Sequence, residues 1–362
     1  MRVVYDAQTF LRQRTGGISR LFTDLIREFD QDPTLNVQVE LPFRLTNNNY
    51  LARDLPNRRV RVTPSWVPRG ALYAPWWVRG SGVPTGCDIV HRTYYSERFL
   101  GAPRGAMQVT TVYDMIPEVF AGTEHFTATH LQKQRYVEQC DLVICISEST
   151  RRDMVSFYGD AAKNVRVIPL AVQPGFGPHH EGLPGLPSGY VLYVGARNGY
   201  KDFGLLPRAL EQLRNAGIEA SLVVVGKPLT DVEVADIAHR GLTSSILTVQ
   251  LTDAELMRAY AHCSLLVQTS RYEGFGLTPL EGMASGAPVV VADASSMSEV
   301  GGDVAQYFVA GDAEDLARVM LRTLTDESLR AELAVRGPVR AAEFSTARMA
   351  QRTAEAYAEL LV

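Results

Sequence analysis

The sequence lacks several features that would place it in a common class of protein. No run of about 18 apolar residues, the length that a membrane-spanning helix needs, occurs in its 362 residues. Asp6 comes too early in the chain for the apolar core of a signal peptide. The four cysteines form no CxxC pair, and three lie in or beside apolar segments, which predicts buried, reduced thiols. Together these absences predict a cytoplasmic protein without a membrane span or disulfide bonds.

Two common nucleotide-binding motifs are missing as well. No stretch reads G-x-x-x-x-G-K-[ST], so the chain has no P-loop spelling. Gly274 and Gly276 do not form a dinucleotide fingerprint, because Pro279 stands where the third glycine would be. The net charge of −4 gives no indication of a nucleic-acid partner.

Patterns that would bind a metal ion are weak. Asp30 and Asp32 have the spacing of the Asp-x-Asp motif of metal-dependent transferases. They follow a predicted helix and precede Pro33, however, which favours a polar turn. His179 and His180 lie in a loop without a third ligand, so exposed polar residues are the simpler interpretation. We therefore predict that the protein needs no metal ion or other cofactor.

One stretch, 51–80, is rich in arginine and aromatic residues and contains a single acid, Asp54. These residues are Arg53, Arg58, Arg59, Arg61, Trp66, Arg69, Tyr73, Trp76, Trp77 and Arg79. A partly packed surface loop is the simpler interpretation of this composition. The functional alternative is contact with anionic membrane headgroups or with a lipid-linked acceptor.

Length and composition predict two domains. The chain is too long for one ordinary core, and its 46% hydrophobic and 21% charged residues are typical of globular proteins. Apolar strand-like runs alternate with helical patterns in both halves, which favours parallel sheets covered on both faces. Proline and glycine are dense in 174–189, which predicts a linker. We predict an α/β protein with domains at 1–173 and 190–342 and a final helix within 343–362.

Local signals predict several further features. The stretch 8–17 is polar and predicts a loop, and the apolar spacing that follows predicts a helix over 18–29. Ser147 and Asp253 have the side chains and positions of helix N-caps.

The segment 271–288 is the most informative part of the chain. A buried strand is predicted before it, and Glu273, a glycine-rich turn and a helix follow. The helix is predicted to begin near Pro279, with Glu281 in its first turn. This arrangement leaves free backbone N–H groups at a helix N-terminus, which suits a phosphate. Each acid alone has a simpler interpretation, because Glu281 would favour the helix dipole and Glu273 could be a solvated loop charge.

Several stretches resemble glycosyltransferase family 4, whose members are retaining enzymes with the GT-B fold. EGFGLTPLE followed by GMASGAPVVVA, within 273–292, resembles the E-x7-E signature of that family. GGISRLFTDLI at 16–26, YDMIPE at 113–118 and GARNGYKDF at 195–203 resemble further family segments. The resemblance implies two doubly wound Rossmann-like domains that face a cleft, with the last helix packed back on the first domain.

The resemblance also implies roles for residues of the second half. Glu273 would contact the sugar hydroxyls, and Glu281 would bind the ribose hydroxyls of the donor. Arg197 and Lys201 would hold the departing diphosphate, unless they are merely surface charges. The backbone N–H groups that would meet the diphosphate and the sugar belong to Gly274, Phe275, Gly276 and Leu277.

In the first half, the resemblance implies that Gly16 and Gly17 let the backbone approach the donor phosphate and the acceptor. A plain tight turn explains these two glycines equally well. Tyr113, where the family usually has His, and Asp114 would face the transferred sugar. A buried core tyrosine is the alternative for Tyr113.

The activity that the resemblance implies is transfer of a hexose or deoxyhexose from a nucleotide-diphosphate sugar. The expected acceptor is a surface glycan such as O-antigen, capsule or a lipid-linked oligosaccharide, reached at the inner face of the cell membrane. GDP-mannose is the favoured donor, because YDMIPE resembles the loop of bacterial mannosyl- and rhamnosyltransferases. Two alternatives stay open: a GT-B epimerase or phosphorylase, and a catalytically silent subunit that binds a nucleotide sugar.

Overall fold

The computed structural model describes residues 1–58, 60–62, 86–96, 105–123, 132–177 and 181–362. These residues form two compact units, one of Met1–Ala171 with Thr346–Val362 and one of Val172–Ser345. The second unit therefore includes the predicted linker. Most of the arginine-rich stretch, 63–79, and the two loop histidines at 179–180 lie outside the described residues.

The first unit is built on a parallel sheet of six strands. These are β1 (Arg2–Tyr5), β2 (Gln38–Glu40), β5 (Ile89–Arg92), β6 (Met107–Val112), β7 (Leu142–Cys145) and β8 (Val165–Val167). Their order is β2-β1-β5-β6-β7-β8, and a separate short pair joins β3 (Leu45–Thr46) to β4 (Arg61–Val62). The strand order reverses between β1 and β5. In such sheets, ligands bind at the carboxyl ends of the two strands that flank the reversal.

Helices cover this sheet. The described ones are α1 (Gln8–Arg12), α2 (Gly17–Gln31), α3 (Asn49–Asp54), α4 (Ile116–Val119), α5 (Lys133–Gln139) and α6 (Glu148–Tyr158). The prediction that 8–17 is only a loop is wrong, because α1 forms there and buries Phe10 and Leu11. Ser147 caps α6 as predicted, since its hydroxyl accepts from the Thr150 N–H at 3.0 Å.

The second unit contains another parallel sheet of six strands. These are β9 (Val191–Val194), β10 (Leu222–Val225), β11 (Ile246–Val249), β12 (Leu265–Gln268), β13 (Val289–Ala292) and β14 (Gln306–Phe308). The order is β11-β10-β9-β12-β13-β14, the order of a dinucleotide-binding Rossmann fold. Here the reversal lies between β9 and β12.

The helices of the second unit alternate with its strands. They are α7 (Leu205–Asn215), α8 (Asp231–His239), α9 (Asp253–His262), α10 (Leu277–Ala284), α11 (Met297–Gly301), α12 (Ala313–Thr325) and α13 (Glu327–Ala341). The predicted cap Asp253 is wrong by one residue. Thr252 caps α9 and forms a reciprocal capping box with Glu255, which leaves Asp253 as the first helical residue.

Close packing fixes α10 between β12 and α13. Gly282 of α10 lies so close to the Leu266 side chain that a Cβ would collide with it. On the other side, a Cβ on Gly337 of α13 would lie 2.9 Å from the Met283 carbonyl oxygen. Gly282 therefore allows a close approach of α10 to β12, at a cost in helix propensity of about 1 kcal/mol.

The last helix, α14 (Thr346–Leu360), belongs to the first unit. Its Tyr357 is fully buried and lies in hydrogen-bond contact with Tyr5 of β1 and His91 of β5. This helix therefore contributes to the core of the first unit, as the fold class implies for a C-terminal helix that returns to the first domain.

The prediction of buried, unpaired thiols is confirmed, because all four cysteines are buried and free. Burial raises the pKa of Cys140, Cys145 and Cys263 to about 12, which keeps these thiols protonated. Among the described helices, none combines the length and the apolar composition needed to cross a bilayer.

Candidate active site

The loops after β9 and β12 bring the main charged residues of the second unit together. Lys201 ends a 3-10 turn, Gly199–Lys201, that follows β9, while Glu273 follows β12. Lys201 Nζ lies 2.6 Å from Glu273 Oε1, and each side chain is mostly buried, with exposures of 17% and 15%. The two strands flank the reversal of the sheet, which is where this fold class binds its ligands.

The main chain around Lys201 is held in place by the loop after β12. The Thr269 hydroxyl donates to the Lys201 carbonyl at 2.8 Å, and the Arg271 N–H donates to the Tyr200 carbonyl at 2.8 Å. The next residue, Asp202, adopts a left-handed conformation with φ of 52°. Asp and Asn tolerate this region better than most residues.

Glu273 is fixed through its backbone as well as its carboxylate. Its N–H donates to Ser295 Oγ at 2.8 Å, and its carbonyl accepts from Ser296 Oγ at 2.9 Å. Ser296 is fully buried and also donates to the Phe275 carbonyl at 2.6 Å. Ser295 has a φ of 49°, an uncommon conformation for a residue with a side chain. The loop after β13 thus positions the start of the glycine-rich turn.

Arg197 is bound to α8 and the loop before it. Its Nε lies 2.8 Å from Glu233 Oε1, its Nη2 donates to Glu233 Oε2 at 3.2 Å, and the side chain is only 7% exposed. Nη1 donates to the Lys227 carbonyl and Nη2 to the Pro228 carbonyl, at 2.9 and 2.7 Å. These bonds use every guanidinium N–H except one on Nη1.

Glu281 lies in α10 and pairs with a buried tyrosine. Tyr260 is fully buried, and its hydroxyl donates to Glu281 Oε2 at 2.9 Å. Burial and the Glu281 carboxylate raise the pKa of Tyr260 well above its usual range, so the hydroxyl keeps its proton. The prediction that places Glu281 in the first turn is wrong, because α10 begins at Leu277 rather than at Pro279.

Gly276 is the reason that α10 begins early. It forms the N-cap with φ of 115°, a backbone conformation that residues with a side chain rarely adopt. A Cβ there would also lie 2.7 Å from Met297 Cε. Glycine at this position therefore turns the chain into α10, whose first N–H group is that of Leu277. That the N–H groups of Gly274, Phe275, Gly276 and Leu277 meet the diphosphate and the sugar stays a prediction.

In the first unit, Gly16 caps α2 and Gly17 is its first residue. The space next to Gly16 is filled by Gln13, whose Oε1 accepts from the Ser19 N–H at 2.9 Å. A Cβ on Gly16 would lie 2.7 Å from that same Oε1. The backbone at Gly16 is extended, a conformation that any residue adopts, and the atoms nearest to such a Cβ belong to the flexible end of the Gln13 side chain.

Tyr113 is packed in the first unit and Asp114 is half-exposed. The Tyr113 hydroxyl donates to the Thr93 carbonyl at 2.8 Å, and burial raises its pKa well above its usual range. Asp114 Oδ1 accepts from the Ile116 N–H at 3.1 Å. The fully buried Lys133 donates to the Asp114 carbonyl and to Glu118 Oε2, at 2.7 and 2.8 Å, and so fixes this loop.

Two family models match nearly the whole chain. The model described as "Glycosyltransferase Family 4" matches residues 15–176, and "Glycosyl transferases group 1" matches residues 184–339. The chain belongs to glycosyltransferase family 4. The second match includes the four charged residues proposed for the site, Arg197, Lys201, Glu273 and Glu281.

Two curated relatives from Escherichia coli have names that describe mannose transfer. The serotype-specific mannosyltransferase WbdA is 29% identical over 273 residues, which is 70% of this chain and 33% of WbdA. The O-antigen chain mannosyltransferase B is 26% identical over 287 residues, 75% of each chain. The matched region thus spans about a third of the length of the first relative and three quarters of the second.

A solved structure supports the fold. Anabaena HepE, in complex with UDP and glucose, matches with a TM-score of 0.72 and 18% identity, over 99% of this chain and 100% of HepE. Together with the two parallel sheets, this likeness shows that the family 4 chain has the GT-B fold, with two Rossmann-like domains.

Several residues that contact the predicted site residues are not predicted from the sequence. Gln268, Ser296 and Tyr260 contact the predicted acids, and Glu233 holds Arg197. Only Glu233 has a signal in the sequence, because Thr230 and Glu233 have the spacing of a capping box. That spacing predicts the start of a helix, not a partner for Arg197. Within the described ranges, no group of three or more His, Cys, Asp and Glu side chains has the arrangement of a metal site.

Proposed function

We propose that this glycosyltransferase moves a mannosyl residue from a nucleotide-diphosphate donor to a surface-glycan acceptor and retains the anomeric configuration. The contact that carries the proposal is the ion pair of Lys201 with Glu273, next to the N-terminus of α10. A cation, a carboxylate and the backbone N–H groups of a helix N-terminus are what a sugar diphosphate needs at one place. The curated relatives described as mannosyltransferases favour mannose as the sugar.

Lys201 is the proposed point charge for the departing diphosphate. Its ammonium group leaves Glu273 for a phosphate oxygen when the donor binds, which frees the carboxylate to accept hydrogen bonds from sugar hydroxyls. Arg197 keeps its bonds to Glu233 and offers its remaining Nη1 hydrogen, so it contributes less charge than an unpaired guanidinium would. The backbone N–H groups from Gly274 to Leu277 complete the proposed phosphate site.

Glu281 is the proposed ribose ligand. Tyr260 occupies one of its carboxylate oxygens and holds the carboxylate in one orientation. A carboxylate accepts two ribose hydroxyls well, because it offers several lone pairs. In the first unit, the roles proposed for Gly16, Gly17, Tyr113 and Asp114 stay as the resemblance implies, with the Tyr113 ring and the Asp114 carboxylate near the sugar.

The proposed reaction needs no covalent enzyme intermediate. The bond from the anomeric carbon to the phosphate oxygen breaks, and the acceptor oxygen forms its bond on the same face of the sugar. The acceptor proton passes to the departing phosphate oxygen, so atoms and charge balance without a protein base. The positive charges of Lys201 and Arg197 take the place that a divalent cation has in metal-dependent transferases.

Donor and acceptor define the test of this function. GDP-mannose is the proposed donor, and the UDP in the HepE structure makes UDP-sugars the alternative to compare. The acceptor proposed is a lipid-linked oligosaccharide at the inner membrane face. The enzyme is incubated with GDP-mannose, UDP-glucose or UDP-N-acetylglucosamine and such acceptors, and the anomeric configuration of the product is read by NMR.

An α-linked product from the α-linked donor supports the proposal, while a β-linked product excludes retention. An epimerised or phosphorolysed sugar without transfer would support the GT-B alternatives instead. Donor binding without turnover on any acceptor would support the silent subunit, an alternative that the family membership does not favour.

A further inference from the structure

Gln268 is a buried amide next to the Lys201–Glu273 pair, and it lies outside the stretches that resemble the family. It is the last residue of β12 and is 4% exposed. Its Nε2 donates to Ser270 Oγ at 2.7 Å and to Glu273 Oε1 at 2.8 Å. Glu273 Oε1 therefore accepts from an amide and from an ammonium group at the same time.

The chemistry of Glu273 fixes the orientation of this amide. A carboxylate oxygen only accepts hydrogen bonds, so Gln268 must direct its NH2 group toward it. The amide oxygen consequently points elsewhere and, in the part of the chain that the structure describes, is buried without a hydrogen-bond partner. Leaving a buried acceptor unpaired destabilises a fold, so an apolar residue of similar length would suit packing alone better than Gln268.

The two donors to Glu273 differ in rigidity. Gln268 sits at the end of a fully buried strand and is anchored a second time by Ser270, which is 1% exposed. Lys201 reaches the same oxygen with a long flexible side chain from a turn. When the ammonium group moves to a phosphate, only the amide is in a position to keep Glu273 Oε1 where it is.

We infer that Gln268 is a positioning residue, which holds the Glu273 carboxylate toward the sugar after Lys201 has moved to the diphosphate. The inference rests on the proposed function and adds a residue to it. With Oε1 tied to Gln268, the other oxygen, Oε2, has no partner among the described residues and is the one offered to a sugar hydroxyl. Without Gln268, the carboxylate would be free to rotate or to stay with Lys201.

The test uses Gln268→Met, which keeps the length of the side chain and removes the amide. The kcat for mannosyl transfer should fall about tenfold, the cost of one hydrogen bond to a charged group, while the KM for the donor stays within about twofold. Thr248→Val is the matched control, because it removes a buried hydroxyl without a partner from β11 of the same sheet. It should leave both constants unchanged.

A double-mutant cycle separates positioning from a general effect on the fold. In a chain that already carries Glu273→Ala, adding Gln268→Met should change kcat by less than about twofold, since the carboxylate it positions is gone. If Gln268→Met does not fold, Ser270→Ala is used instead, because it removes the other anchor of the amide. Ser270→Ala should lower kcat severalfold in the wild-type chain and should leave kcat unchanged in the chain that carries Glu273→Ala.

Two results would overturn the inference. One is a wild-type kcat for Gln268→Met, or for Ser270→Ala if Gln268→Met does not fold. The other is an equal loss of kcat with and without Glu273. Failure of the wild-type chain to transfer any sugar would instead overturn the proposed function, together with the role that depends on it.

Discussion

Arg197 and Glu233 form a two-point ion pair, with Nε to Oε1 at 2.8 Å and Nη2 to Oε2 at 3.2 Å. The same carboxylate closes the capping box of α8 with Thr230. Burial tends to raise the pKa of Glu233, but the bonds from Arg197 and Thr230 outweigh it and hold the pKa below its usual range. The charge of Arg197 is thus largely compensated by Glu233, whereas the partner of Lys201 is Glu273, the acid proposed to bind the sugar hydroxyls.

This difference predicts that Lys201 contributes more to catalysis than Arg197. Charge grows on the diphosphate as the glycosidic bond breaks, so a cation there acts more strongly in the transition state. Losing one partner of a desolvated charged pair costs about 2–5 kcal/mol. Arg197→Ala with Lys201→Ala should therefore lower kcat at least about a hundredfold, with most of the loss present in Lys201→Ala alone.

The same variants should weaken binding of the nucleoside diphosphate much more than binding of the free nucleoside. Isothermal titration calorimetry with both ligands measures this, and Arg208→Ala, an exposed arginine of α7, is the control. An equal loss of affinity for both ligands would mean that the phosphate site lies elsewhere.

The second prediction separates the two acids of the signature. Glu281→Ala should mainly weaken binding of the nucleoside, because its proposed partner is the ribose. Glu273→Ala should mainly lower kcat, because it contacts the sugar that changes in the transition state. Tyr260→Phe should resemble a mild form of Glu281→Ala, since it removes a hydroxyl that donates to the Glu281 carboxylate.

Calorimetry with the nucleoside and initial rates on the donor check both parts of this prediction. Glu219→Ala removes an exposed acid of the same unit and serves as the control. Full turnover by Glu273→Ala would contradict its role.

The sequence predicts β9, β10, β12 and β13 of the second unit well, because each is a short apolar run. It does not predict β14, which reads Gln306-Tyr307-Phe308 and has no such run. It misplaces the start of α10, since Pro279 is a common first helical residue and the left-handed Gly276 cannot be recognised without the fold. Partners of the proposed site residues come from far along the chain, as Glu233 does for Arg197 and Tyr260 for Glu281. Spacing rules describe neighbours within an element, so they carry no information about such pairs.

A third prediction concerns metal ions. The proposed neutralisation of the diphosphate by Lys201 and Arg197 implies that turnover does not require a divalent cation. Initial rates in excess EDTA should equal those in magnesium or manganese within about twofold, since no step depends on the ion. Activity that disappears in EDTA and returns with manganese would contradict this prediction.

A fourth prediction tests whether the stretch 53–79 contacts an anionic lipid surface. The enzyme should co-sediment with vesicles that contain phosphatidylglycerol and less with neutral vesicles, and salt should weaken the binding. Arg69→Ser with Arg79→Ser should reduce it, while Arg208→Ser should not. Equal recovery with both kinds of vesicle would leave a packed surface loop as the interpretation of this stretch.

The last prediction concerns the pH dependence of stability and follows from His91. This side chain is 1% exposed, and its Nε2 lies 2.9 Å from Thr111 Oγ1. Burial lowers the pKa of His91 to about 3, whereas an unfolded histidine titrates near about 6.5. As the pH falls below about 6.5, the unfolded chain binds a proton that the folded chain does not, which favours unfolding.

Above pH ~6.5, His91 is therefore neutral in both states and does not make the free energy of unfolding depend on pH. From pH ~6.5 down to pH ~3, it lowers the free energy of unfolding by up to about 1.4 kcal/mol per pH unit. His91→Gln cannot titrate, so its urea midpoint should fall less than that of the wild type between pH 7.5 and pH 5, even if it is lower at both. His239→Gln, at an exposed position of α8, is the control and should keep the wild-type difference. If His91→Gln instead shows the same fall as the wild type, the buried imidazole is not the group that makes stability depend on pH in this range.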